Sequence, residues 1–152
     1  MTPARIVQEW LDAQKELRVE RAGDGRWFVM LSGEHKRTIP AYLRVRSHTL
    51  VIESLFMRAP DEREADVYAY LLRRNLHSYL FRFALSDAGD VLLVAVVPAH
   101  AVTAQELDRL MGALLVTADE AFDAALRLGF ASYIQREQDW RRRIGAPPNP
   151  IT

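Results

Sequence analysis

The segment TIPAYLRVRSHTLVIESLFM, residues Thr38 to Met57, decides the fold class. Its side chains alternate. Ile39, Ala41, Leu43 and Val45 share one face, and Tyr42, Arg44 and Arg46 share the other. That period of two is a strand signature rather than a helical one. Ser47-His48 makes a tight reversal, and Thr49 to Met57 runs back as a second strand. So short a link pairs the two strands antiparallel. Pro40 has no N–H for a ladder, so the first of the two is expected at a sheet edge or a bulge.

Upstream, Gly23-Asp24-Gly25 is turn chemistry between a short strand at Arg18 to Arg21 and a strand at Arg26 to Ser32. Gly33-Glu34-His35 turns the chain again. Before them, Thr2-Pro3 reads as an N-cap followed by proline at the first helical position. Ile6, Val7, Trp10, Leu11 and Leu17 then form one helical stripe. Downstream, Pro60-Asp61 ends the sheet, and Asp61 with Glu64 resembles a capping box. Ala65, Tyr68, Leu71, Leu72 and Leu76 make the stripe of that helix. Tyr79 to Leu85 alternates, Ser86 to Asp90 is a hairpin loop, and Val91 to Val97 is a nearly all-apolar strand expected to be covered on both faces. Thr103 and Glu106 open a long helix with apolar residues from Leu107 to Leu126 and Gly129 as C-cap. Ser132 to Arg143 reads as one further helical segment. The expected fold is α+β, an antiparallel sheet with helices in the order α-β-β-β-α-β-β-α. Residues 1–145 are expected as a single domain, and 146–152 as a disordered Pro-rich tail.

Composition removes several functions. Twenty basic residues balance twenty acidic ones, so there is no surplus of charge for phosphate neutralisation. The absence of cysteine excludes disulfides, thiolate metal sites and cysteine nucleophiles. The run Val91 to Pro98 is too short to cross a bilayer, and Met1 to Arg5 has no apolar signal core. A cytoplasmic protein without membrane attachment is expected. His35, His48, His77 and His100 show no helical or alternating ligand spacing, so neither a metal nor a cofactor is expected. Ser47-His48 are neighbours in a turn and point apart, and no serine is flanked by glycines as in a nucleophile elbow. Asp61, Glu62 and Glu64 are read as complements to a helix dipole. The expectation is a non-enzyme.

Two surfaces remain. If the Ile39 face meets the helices, the opposite face still carries Phe28, Met30, Tyr42, Val51, Leu55 and Met57, with Arg44, Arg46 and Glu53 among them. A solvated face is mostly polar, and a large apolar patch marks an interface. The alternative is that another element of the same chain covers it. Phe28, Tyr42, Arg44, Arg46, Leu55 and Met57 are the candidate client or dimer surface. Trp140, Arg141, Arg142 and Arg143 are the candidate nucleic-acid contact, by stacking and charge. The competing reading is a solvated helix end with Trp140 folded against the body.

Tyr70-Leu71-Leu72-Arg73-Arg74-Asn75, Phe81-Arg82-Phe83-Ala84-Leu85 and Gly89-Asp90 resemble the YbjN family. Trp27-Phe28, Leu107-Asp108-Arg109-Leu110-Met111-Gly112 and Gly129-Phe130-Ala131-Ser132 extend the likeness, which runs from the first helix to about Arg143. The resemblance implies a fold like that of the type III secretion chaperones. It also implies a homodimer that binds client segments on an exposed surface. The family also carries the label of a sensory transduction regulator, and it offers no catalytic residues to carry over. The expected function is therefore a chaperone- or adaptor-like binding module, serving stress or regulation. The alternative is an accessory of nucleic-acid metabolism that binds a DNA-associated partner or a single strand.

Overall fold

The computed structural model describes residues 1–151. Helix α1 (Pro3–Asp12) is followed by strands β1 (Arg18–Gly23), β2 (Arg26–Leu31), β3 (Ile39–Val45) and β4 (Thr49–Met57). Helix α2 (Glu64–Asn75), strands β5 (Arg82–Leu85) and β6 (Val91–Pro98), and helices α3 (Ala104–Gly129) and α4 (Ala131–Ile144) complete it. The six strands form one antiparallel sheet in the order β1-β2-β3-β4-β6-β5. The α+β class stands, with the short Arg18 strand as a fourth member of the first meander.

One sheet face is covered by helices. Trp27, Val29, Leu31, Ile39, Ala41, Leu43, Leu50 and Ile52 are buried there with Leu93, Ala95 and Val97. They meet Leu107, Leu110, Leu114, Ala118 and Ala121 of α3 in one cluster. Two tryptophans pin α1 to this layer: Trp10 Nε1 donates to Asp108 Oδ1 at 2.8 Å, and Trp27 Nε1 donates to Gln8 Oε1 at 2.7 Å. Each satisfies an indole N–H that burial would otherwise strand.

Several local expectations need correction. Strand β3 is interior, between β2 and β4. Its pairing with β4 begins only at Tyr42 opposite Glu53, so Pro40 opposite Met30 has a ladder neighbour on one side alone. There the missing N–H costs nothing. Asp61 does not cap α2; it pairs with Arg58 at 2.7 Å. The helix starts instead behind Arg63, in the left-handed region at φ 52°. Glu62 caps the other helix: its carboxylate accepts from the Ser132 backbone N–H (2.7 Å) and hydroxyl (3.0 Å) at the start of α4. Those two donors hold the Glu62 carboxyl below the ordinary value. Gly129 is required by space rather than by turn geometry, since a Cβ there would stand 2.8 Å from Pro60 Cβ. Its carbonyl accepts from the N–H groups of Asp61 and Glu62.

The tail is also corrected. Residues 146–151 fold back on α4, because Gln138 and Glu137 offer the backbone partners that a polar tail needs. Gln138 Nε2 donates to the carbonyls of Asn149 and Ile151, and Gln138 Oε1 accepts from the Asn149 N–H. Asn149 Nδ2 donates to Glu137 at 2.8 Å. Thr152 lies outside the described residues.

Candidate partner-binding face

The sheet face away from the helices is built in cross-strand rows. Phe28 stands opposite Tyr42, Tyr42 opposite Glu53, Glu53 opposite Val94, and Val94 opposite Arg82. A second row runs Arg26, Arg44, Val51, Val96. A third joins Leu55, Leu92 and Ala84. Each row forms because residues directly opposite across an antiparallel pair share a face. The rings of Phe28 and Tyr42 meet at 5.0 Å with a 59° tilt. Tyr42 is 54% exposed, Leu55 46% and Val96 56%. No helix covers them, although the expected mate of such a face is another packed layer.

Arg44 and Glu53 put opposite charges in the middle of the apolar field. Arg44 reaches Glu53 only at 4.0 Å, and its Nε is buried with no hydrogen-bond partner among the described residues. The Arg44 side chain is 42% exposed, so it is the rest of the guanidinium, not the buried Nε, that can meet a carboxylate brought by another molecule. Together the rows offer apolar contact with the cations Arg26, Arg44 and Arg82 set among it, which fits an extended or amphipathic protein segment.

Of the expected surface residues, Phe28, Tyr42, Arg44 and Leu55 lie together on this face. Arg46 lies just beyond β3, exposed in the turn, where its N–H donates to the Thr49 carbonyl. Met57 does not belong. A bulge places Leu55 opposite Leu92 and Met57 opposite Val91, two residues against one. Phe56 and Met57 therefore both turn inward, at 1% and 5% exposure. Strict alternation missed the bulge. It also missed Leu92, Val94 and Val96: β6 was expected to be covered on both faces, yet its outer side is open. Only the strand order, with β6 beside β4, reveals that it continues the patch.

A second apolar area lies at the β5 end. The helical stripe expected to bury Leu72 and Leu76 is rotated: Val67 and Leu71 are buried, while Leu72 is 66% and Leu76 80% exposed. Leu85 adds to them at 50% exposure. The free edge of β5 is closed by Asn75, whose amide donates to the Phe83 carbonyl and accepts its N–H.

The Trp140 cluster is partly neutralised. Arg141 pairs with Glu137 at 2.9 Å and donates to the Pro147 carbonyl, and Arg142 pairs with Asp139. Trp140 is 54% exposed rather than folded against the body, because α4 turns that side to solvent. Among the described residues no three His, Asp or Glu side chains converge as a metal site, and no helix is long and apolar enough to cross a membrane.

The pattern of the YbjN family, described as "Putative bacterial sensory transduction regulator", matches residues 3–127. The uncharacterized protein Rv0487 of Mycobacterium tuberculosis is 44% identical over 117 residues, covering 77% of this chain and 64% of the relative. The uncharacterized protein ML2442 of Mycobacterium leprae is 36% identical over 126 residues, covering 83% of this chain and 68% of the relative. The chain thus spans less than two thirds of the length of the first of these. Among solved structures, a chain of the heterodimeric ExoU–SpcU complex from the type III secretion system of Pseudomonas aeruginosa superposes with a TM-score of 0.55. The match covers 82% of this chain and 98% of that one at 20% identity, a likeness of fold.

Proposed function

This chain belongs to the YbjN family, and on that premise we propose that it is a non-enzymatic, chaperone- or adaptor-like module that binds a protein client on the open sheet face. The observation that carries the reading is the uncovered field of Tyr42, Leu55 and Val96, with a half-buried Phe28 against Tyr42 and a part-exposed Arg44 among them. The solved complex of similar fold is itself a heterodimer, which agrees with a protein partner. The protein acts in the cytoplasm, in stress response or regulation. It is a homodimer, and the second copy covers Leu72, Leu76 and Leu85, leaving the sheet face to the client. The nucleic-acid alternative has the weaker support, since Arg141 and Arg142 are engaged within the chain.

A photo-crosslinking residue at Tyr42, at Leu76, and at the exposed Gln105 as reference tests the proposal in cells. Tyr42 should yield adducts with one other protein, and Leu76 adducts with a second copy. Adducts at Tyr42 no stronger than at Gln105 would end the client reading. Adducts of Tyr42 with the second copy alone would make the sheet face the dimer interface.

A further inference from the structure

Where β4 runs out beside α4, the chain forms a surface pocket of about 450 Å³. That is within the roughly 300–1,000 Å³ of small-molecule sites. Phe56, Met57, Phe122, Leu126, Phe130 and Ile151 supply most of its wall. The docked tail is therefore part of that wall. One charged side chain is built into this apolar wall. Lys36 is only 8% exposed, and its ammonium stands 4.7 Å from the centroid of the Phe122 ring. Among the described residues it has no carboxylate partner and no hydrogen-bond acceptor. Burial pushes its amine below the ordinary value, with no neighbouring charge to compensate.

The lysine is held in place rather than left there by a loose loop. The Gly33 N–H donates to the Lys36 carbonyl at 2.8 Å. Asp119 Oδ1 accepts from the N–H groups of His35 (2.7 Å) and Lys36 (2.8 Å), latching the loop to α3. Any side chain at Gly33 would collide with that carboxylate, since a Cβ would lie 2.3 Å from Asp119 Oδ1. The other charges at the rim are already paired: Arg58 with Asp61 at 2.7 Å, and Glu137 with Arg141 at 2.9 Å. Glu137 also accepts from Asn149. The one uncompensated charge is positive, in a pocket whose walls are mostly apolar. A buried cation without a partner is costly, and an anion that enters with its own apolar body relieves that cost.

We propose that this pocket binds an alkyl carboxylate, with the carboxylate on Lys36 and the chain along Phe56, Phe122 and Leu126. The site is separate from client binding, although Leu55 borders both surfaces.

Calorimetric titration of the full chain with decanoate, decanol and decyltrimethylammonium tests it. Decanoate should bind, decanol at least ~10-fold more weakly, and the cation not at all, as a charge-assisted contact dictates. Lys36→Met should stay folded with an unchanged or higher Tm and lose the preference for the carboxylate. Lys15→Met, a change at an exposed lysine outside the pocket, should leave binding intact. Amide shifts on adding decanoate to the unaltered chain provide a reading that needs no variant. They should cluster on Lys36, Phe122 and Ile151. No decanoate binding at millimolar concentration, equal binding of decanol, indifference to Lys36→Met, or shifts confined to the open sheet face would each overturn the proposal.

Discussion

Met57→Ala and Leu55→Ala test the bulge that ends β4, and with it the boundary of the binding face. Simple alternation gives the two residues the same environment. The bulge separates them: Met57 is 5% exposed and Leu55 46%. Truncating a buried methionine to alanine costs about 2–5 kcal/mol. Met57 borders the pocket rather than sitting in the middle of the core, so relaxation into that space keeps its cost near the low end, about 2–3 kcal/mol. Full burial of leucine contributes about 1.5–3 kcal/mol, and Leu55 has lost only about half its exposure, so its truncation costs about 0.8–1.5 kcal/mol. Urea unfolding at pH 7 reads both. In thermal scans each kcal/mol moves Tm by about 2–4 °C for a chain of this length. Met57→Ala should therefore fall by roughly 4–12 °C and Leu55→Ala by no more than about 6 °C. Equal losses, or a larger loss at Leu55, would refute the inward turn of Met57.

Leu114 of α3 is fully buried, so Leu114→Ala should cost about 2–5 kcal/mol by denaturant unfolding; a loss under about 1 kcal/mol would mean that α3 is not the brace of the core. Ser54 is 1% exposed and its hydroxyl has no partner, so Ser54→Ala should be neutral or stabilise by up to about 1 kcal/mol, and a clear destabilisation would reveal a hydrogen bond not found here. Burial raises the Asp119 pKa, but the backbone N–H groups of Lys36, His35 and Glu34 outweigh it and hold the carboxyl below its ordinary value. A depressed folded value gives stability that is complete above the unfolded pKa of about 3.9 and is lost as pH falls through the folded one. Asp119→Asn should thus cost about 1–2 kcal/mol at neutral pH, and the gap from the parent protein should close in strong acid; a gap independent of pH would contradict this.

Much of the fold is written in local patterns. Thr2 caps α1 and Thr103 caps α3 as their positions before Pro3 and Glu106 imply, with the Thr103 hydroxyl accepting from Glu106 N at 3.0 Å. The split of β3 into an Ile39 face and a Tyr42 face is legible because side-chain period is a local property of a strand. What was not legible depends on distant partners. The bulge at Phe56 exists because β4 pairs with β6, two elements apart in the chain. Glu62 looks like part of the α2 start and instead caps α4 seventy residues on. The orientation of α2 is set by contact with α3, not by the spacing of its leucines, so Leu72 and Leu76 end up outside. Of the candidate surface, Tyr42, Leu55, Phe28 and Arg44 could be read from alternation, whereas Val94 and Val96 required the strand order. Lys36 gave no signal at all, since only the packed loop shows that its side chain is built into the pocket wall.

The central claim is that the open sheet face holds a protein partner. Its most direct test is a titration of the protein captured at Tyr42, once purified, against the parent chain and Leu55→Glu. Light scattering and Tm are recorded on the same samples. The account predicts an affinity loss of at least ~10-fold, as central apolar contacts of an interface give, with Tm and oligomeric mass unchanged. An unaltered affinity for the folded variant would contradict it.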